Sequence, residues 1–191
     1  MFDKSKVKIF GHVLIRDKIS KDVLVDKENA IHFENMSVAL ARSLANKPNG
    51  PIFTMNFGNG GSAVDSLGVI TYLEPNTIGA TADLYNETFS KVVDDTSPSV
   101  VDPVMNNMIV QHEDTKFFSD VIITATMDFG EPAGQEAFDT STVFTEDFVF
   151  DELGLKTETD VLLLTHVIFH PIQKSLNRVI EIIYTIRIAV S

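Results

Sequence analysis

The feature that most constrains the fold is the alternation of greasy and polar side chains in the second half of the chain. Val121, Ile123, Ala125, Met127 and Phe129 share one parity, while Ile122, Thr124, Thr126 and Asp128 take the other. Ile180, Ile182, Tyr184, Ile186 and Ile188 likewise run against Glu181, Thr185 and Arg187. A period of two is strand spacing, because successive side chains leave opposite faces of a sheet. Strands with one greasy face must bury it, and packing two sheets face to face does so. Strands are predicted over Met108–His112, Ser119–Phe129, Val143–Phe150, Asp160–His170 and Arg178–Val190, separated by turn formers. The patterning of the last suggests a central or paired place in its sheet.

The first quarter reads as a hairpin and a helix. Val7–Asp17 is rich in β-formers, Asp17–Lys21 is a polar turn, and Asp22–Asp26 is a second short strand. Met36, Leu40 and Leu44 recur at helical spacing within Asn35–Asn46, with Asn35 or Ser37 placed to cap the start. Asn46, Pro48 and Gly50 stop it, and its apolar stripe is expected to lie against a sheet. A strand over Pro51–Phe57 then enters Gly58-Asn59-Gly60-Gly61-Ser62, a turn whose glycines are free to take positive φ. Residues 63–104 are rich in turn formers and weakly periodic, which predicts a long irregular excursion with a short helix near Ala82–Asn86. The expected architecture is mainly β: one domain over residues 1–191, an antiparallel β-sandwich with one packed α-helix and the 63–104 excursion. Long loops carry contacts, so Phe57 and Asn59 at the root of the excursion, with Phe89, Val92 and Val93 as apolar anchors, are the expected interface residues. Removing residues 76–103 should then leave a folded domain that assembles poorly.

Composition removes several function classes. The formal charge of −12 opposes a nucleic-acid surface and an anionic membrane, both of which need a positive field. With no cysteine there can be neither a disulfide nor a thiolate metal site. Charged residues in Met1–Phe10 stand where a signal peptide would be apolar, and no apolar run approaches bilayer length. A soluble chain folded in a cytoplasm is the expectation. The 14 Phe with no Trp make Phe the main aromatic filler of the core.

Catalytic patterns do not emerge. Gly58–Gly61 lacks the Lys and Ser or Thr that complete a phosphate loop, so it reads as a structural turn. His166 and His170 are four apart, but on a β-branched, apolar strand that spacing is about 13 Å, too far to share one zinc ion. They read as two histidines on the same face of a sheet. The acids Asp94-Asp95, Glu131, Glu136, Asp139, Glu146-Asp147 and Asp151-Glu152 form no calcium-loop pattern and read as solvated loop residues. No catalytic residue, cofactor or metal site is expected.

Two longer patterns carry a resemblance. Val25–Ser37, the following helix, and Ile52–Gly61 closing in Phe57-Gly58-Asn59-Gly60-Gly61 resemble the opening of tailed-bacteriophage virion proteins, including tail, collar and neck-associated subunits. The runs Gly134–Asp139, Phe148–Leu155 and Leu164–Pro171 are similar to structural proteins of such phages. This resemblance implies a non-enzymatic virion subunit, made in the host cytoplasm, whose partners are copies of itself and other virion proteins. The expected place is a neck, collar or tail-associated ring; the alternatives are a capsid decoration protein and a receptor- or carbohydrate-binding module. The last is poorly served by a chain with 3 Tyr and no Trp.

Overall fold

The computed structural model describes residues 6–133, 148–158 and 162–191. In chain order its elements are β1 (Val7–Asp17), β2 (Val23–Glu28), β3 (Ala30–Ile31), α1 (Phe33–Leu44), β4 (Thr54–Gly58), β5 (Ser62–Val64) and β6 (Ile70–Tyr72). They continue with β7 (Glu87–Val92), β8 (Asn107–His112), β9 (Phe118–Met127), β10 (Val149–Lys156), β11 (Leu163–Gln173) and β12 (Ile180–Val190). Two five-stranded antiparallel sheets result, in the orders β2-β1-β12-β9-β8 and β3-β11-β10-β4-β7, with β5 and β6 as a separate hairpin. The expected antiparallel sandwich with one helix is the fold that forms.

The alternation seen in the sequence explains the packing. Ile182, Tyr184 and Ile186 of β12 meet Ile123 and Ala125 of β9 and Val13 and Ile15 of β1 in one core with Met55, Phe57, Leu153 and Leu155 of the second sheet. β12 sits at the centre of the first sheet, paired along its length with β1 and β9. Phe57, Phe89 and Phe150 form a tilted aromatic cluster with centroids 5.5 to 6.5 Å apart. Phe10, Phe33, Phe117 and Phe129, by contrast, are exposed, so Phe is a surface residue here as well as a core filler.

Several local expectations need correction. The helix begins two residues early: His32, itself fully buried, caps it by accepting from the Asn35 amide at 3.2 Å, a role that neither Asn35 nor Ser37 takes. The Asn35 side chain instead donates to the Leu163 carbonyl at 3.0 Å and ties the helix to β11. The stop is as expected, with Asn46 at φ 49° and the Lys47 amide reaching back to the Arg42 carbonyl at 2.8 Å. Leu44 is 90% exposed, whereas Met36 and Ala39 are the apolar helix residues that are buried. None of Gly58, Gly60 and Gly61 takes a positive φ. A side chain at Gly58 would lie 2.4 Å from the Asn86 carbonyl, and one at Gly60 2.7 Å from the Asn86 amide, so close approach is what demands glycine.

The 63–104 segment is mostly outside regular strands, as expected, yet it is tied into the second sheet. It holds β6 and β7, and β7 closes the second sheet by pairing with β4 from Thr54↔Val92 to Gly58↔Glu87. No helix forms near Ala82–Asn86; Ala82 and Leu84 are buried there outside any helix or strand. The Gly134–Asp139 run and the start of the Val143–Phe150 strand lie outside the described residues. Deleting residues 76–103 would remove an edge strand with the buried Val93, so the expectation that the domain survives reverses. The shortened chain should show no cooperative thermal transition by circular dichroism; a retained transition would mean β7 is dispensable.

Candidate functional site

Strand β10 is buried along its whole length, yet it carries two adjacent acids. Leu153 and Leu155 enter the core, so Glu152, Gly154 and Lys156 leave by the outer face of the second sheet. The ladder to β11 slips between Phe150 and Glu152, and at that irregularity Asp151 joins Glu152 on the outer side. Residues 59–86 cover them. The Glu152 carboxylate accepts from the backbone amides of Gly60 at 3.1 Å, Asn86 at 2.7 Å and Tyr85 at 2.9 Å. Asp151 accepts from the Gly61 amide at 2.9 Å and from the Ser62 hydroxyl at 2.5 Å. The glycine turn is thus an anion cradle after all, but its anions are the chain's own carboxylates.

His166 completes this centre. Its Nδ1 accepts the Asn76 amide at 2.8 Å, which leaves the proton on Nε2 to donate to Glu152 at 3.0 Å. Both partners are fully buried. Burial alone would raise the Glu152 carboxyl, but the His166 hydrogen bond and the Asn86, Tyr85 and Gly60 amides outweigh it and hold the group below its ordinary value. Asp151 goes the other way: burial raises it, against the Ser62 and Gly61 hydrogen bonds. Further along the strand, buried Lys156 is ion-paired to Asp83 and to Glu87, and Glu87 also accepts from Asn56 at 2.8 Å. Both ends of the cover are therefore tethered to β10 or β11 through a charge.

The expectations for individual residues sort as follows. His166 and His170 share β11 but not an environment: His166 is buried, whereas His170 is exposed and meets the Tyr72 hydroxyl at 3.0 Å. Asp151 and Glu152 are interior groups, not solvated loop acids. Asp94-Asp95 does lie in a loop, and Glu136, Asp139 and Glu146-Asp147 fall outside the described residues. Of the expected interface residues, Phe57, Asn59 and Val93 are buried within this chain and Phe89 and Val92 are half-buried. Among the described residues no three His, Asp or Glu side chains converge as a metal site.

A second buried charge lies at the far end of β11. Lys91 reaches across the core to the Thr126 carbonyl at 2.7 Å and Glu131 at 2.6 Å. Lys174, fully buried nearby, donates to the Ser175 carbonyl at 3.0 Å. Burial pushes Lys174 down to about 8, against the pull of Glu131 and Asp128.

The outer surface is less polar than the composition suggests. A cavity of about 840 Å³ opens where β1, β3 and the start of α1 meet, flanked by Phe10, His12, Phe33 and Arg187. Along the other side, at the β8 edge, Val101, Val104, Ile109, Val110 and Phe117 are all exposed, Val110 at 75% and Phe117 at 82%. Sequence reasoning misses this edge although its signal is present: Asn107–His112 contains no Asp, Glu, Lys, Arg or Pro. Among the described residues no helix is long and apolar enough to cross a membrane. No protein-family model matches the chain, and neither a curated protein nor a solved structure does.

Glu152→Gln should cost about 1–3 kcal/mol at neutral pH, since an amide cannot satisfy all the donors aimed at the carboxylate. Because the folded value of Glu152 is depressed, its contribution is full above the ordinary 4.5 and is lost as pH falls through the folded value. The gap between wild-type and variant unfolding free energies in urea should therefore narrow in acid; a gap independent of pH would deny the charge this role.

Lys174 has the opposite linkage: its folded value lies below the unfolded one, so its charge costs stability below about pH 8 and the cost fades toward the ordinary 10.5. Lys174→Met should raise Tm at pH 7, with the advantage shrinking between pH 8 and 10. A lowered Tm at pH 7 would contradict this reading.

Proposed function

We propose that this chain is a non-enzymatic structural subunit of a tailed-bacteriophage particle, working through contacts with copies of itself and with other virion proteins. The observation that carries the reading is the division between interior and surface. Four groups with chemical capability, Asp151, Glu152, His166 and Lys156, are consumed inside by amides and counter-ions of the same chain. Among the large apolar side chains left outside, Val101, Val104, Ile109, Val110 and Phe117 lie along the β8 edge of a protein with net charge −12. A monomer that worked alone would gain nothing from such an edge, whereas a subunit buries it in a neighbour.

The resemblance of Val25–Ser37 and Ile52–Gly61 to phage virion proteins directs this reading to a particle, with a neck, collar or tail-associated ring as the first place. Within Ile52–Gly61, the Gly60 and Gly61 amides of the glycine turn fasten one end of residues 59–86 over β10. Capsid decoration is the second reading, and an acidic chain suits either place, since neither has to grip packaged nucleic acid.

Mass spectrometry of density-purified particles from the virus carrying this gene should find the chain at a fixed copy number. Six or twelve copies per particle would support the ring, and hundreds the shell. Absence from purified particles would overturn the proposal.

A further inference from the structure

We infer that β8 is a self-pairing edge: two copies join β8 to β8, antiparallel, about a two-fold axis through Ile109, so that two five-stranded sheets become one continuous sheet. This deepens the subunit reading and rests on it, by naming a contact that the subunit makes.

The four edges of the two five-stranded sheets are not equally defended. An edge strand offers a row of unpaired N–H and C=O groups, and proteins that remain apart blunt it with charge, proline, bulges or brevity. β2 carries Asp26-Lys27-Glu28, and its ladder slips at Ile15/Arg16. β3 is 2 residues long. β7 carries Glu87 and Lys91, and its ladder slips at Phe57/Gly58. β8 has none of these devices. Its 6 residues pair with β9 in unbroken register from Asn107↔Thr124 to His112↔Ser119. Among the described residues, Asn107–His112 makes no backbone–backbone hydrogen bond outside that ladder.

The sequence of β8 selects a copy of itself as the occupant. Two-fold related antiparallel strands keep each sheet face continuous only if some residue lies opposite its own copy, because opposed residues must point to the same face. Centring on Ile109 opposes Ile109 to Ile109, Met108 to Val110 and Asn107 to Gln111, so apolar meets apolar and amide meets amide. Centring on Val110 opposes Met108 to His112 and Ile109 to Gln111, a mixture that wastes apolar contact. Charge agrees with the first arrangement. Glu113 and Asp114 follow β8 directly, and in the Ile109 register the Glu113 residues of the two copies stand about 26 Å apart along the strands. That exceeds the Debye length of about 8 Å at physiological salt, so the two Glu113 charges are screened from each other across the pair. Val104 and Phe117, at the two ends of the edge, extend the apolar surface beyond the paired residues. An isologous contact of this kind closes at two copies, which suits a two-fold position in a shell or a back-to-back double ring.

The chain has no cysteine, so a single introduced thiol reports the register directly. Opposed Cα atoms in an antiparallel pair are about 4.5–5.5 Å apart, within disulfide reach. Oxidised full-length Ile109→Cys should run as a covalent dimer on a non-reducing gel, whereas Gln111→Cys, whose two copies would stand about 13 Å apart, should not. Sedimentation equilibrium should give wild type twice the 21.1 kDa chain mass, and Val110→Lys the single mass with an unchanged far-UV circular dichroism spectrum. A monomeric wild type, equal cross-linking of both cysteine variants, or a Val110→Lys protein that still dimerises would each overturn the pairing. A larger oligomer in which the Ile109→Cys variant forms no disulfide would overturn it too, while leaving the subunit reading intact. Absence from particles would remove the subunit reading while the solution cross-link remained measurable.

Discussion

The Glu152 carboxylate is the point on which the second sheet and its cover depend. A lone ionised carboxylate taken out of water would be strongly destabilising. Here its oxygens receive three backbone amides from residues 60, 85 and 86 and the Nε2 proton of His166. Because those amides come from both ends of the covering segment, the carboxylate closes a loop of chain as a metal ion would. Other features follow from it. Gly58 and Gly60 must lack side chains for Asn86 to approach, His166 must present Nε2–H because Asn76 occupies its other nitrogen, and Lys156 must find Asp83 and Glu87 beside the same cover. Asp151 repeats the device with Gly61 and Ser62.

This arrangement explains how a segment without a strong apolar pattern becomes part of the body of the protein. Residues 59–86 bury few greasy side chains, Ala82 and Leu84 among them. They are held instead by charge-assisted hydrogen bonds, which are roughly twice as strong as neutral ones and gain further in a low dielectric. Such a network fixes one geometry, since any half-satisfied alternative leaves a buried charge unpaired. The cover in turn positions β7, whose Phe89 reaches the Phe57 and Phe150 rings. Asp151, Glu152, His166 and Lys156 are thereby withdrawn from the surface, which keeps exposed apolar side chains and an open sheet edge along β8. That division is the physical basis for reading the chain as a subunit.

The regular strands were legible because alternation is a local property. β1 forms over Val7–Asp17 as the β-formers there imply, and β12 occupies the central place that its pattern suggests. The cover was not legible, for reasons that are equally physical. The partners of Glu152 in the cover lie 66 to 92 residues away, and no periodicity reveals a backbone amide. In sequence, Asp151-Glu152 looks like any acidic pair, although its place inside the apolar run Phe148–Leu155 is a signal in retrospect. β7 was missed because Thr88 and Ser90 dilute its alternation and turn formers flank it. Phe89, Val92 and Val93 do stand out as anchors; Val93 lies in the chain's own core and Phe89 packs against it. The His32 cap escaped because imidazole is seldom an N-cap, and here it serves only because burial and the Gly79 carbonyl at 2.9 Å fix its ring.

Native-state hydrogen exchange on the amides of Gly60, Gly61, Tyr85 and Asn86 tests the central role of the buried carboxylates most directly. If Asp151 and Glu152 hold these donors as described, the four amides should be protected as strongly as the β10–β11 ladder and exchange only with it, in one cooperative unit. Exchange at the rate of an exposed loop, while β10 and β11 remain protected, would show that the cover opens independently and that the carboxylates do not bind it to the fold.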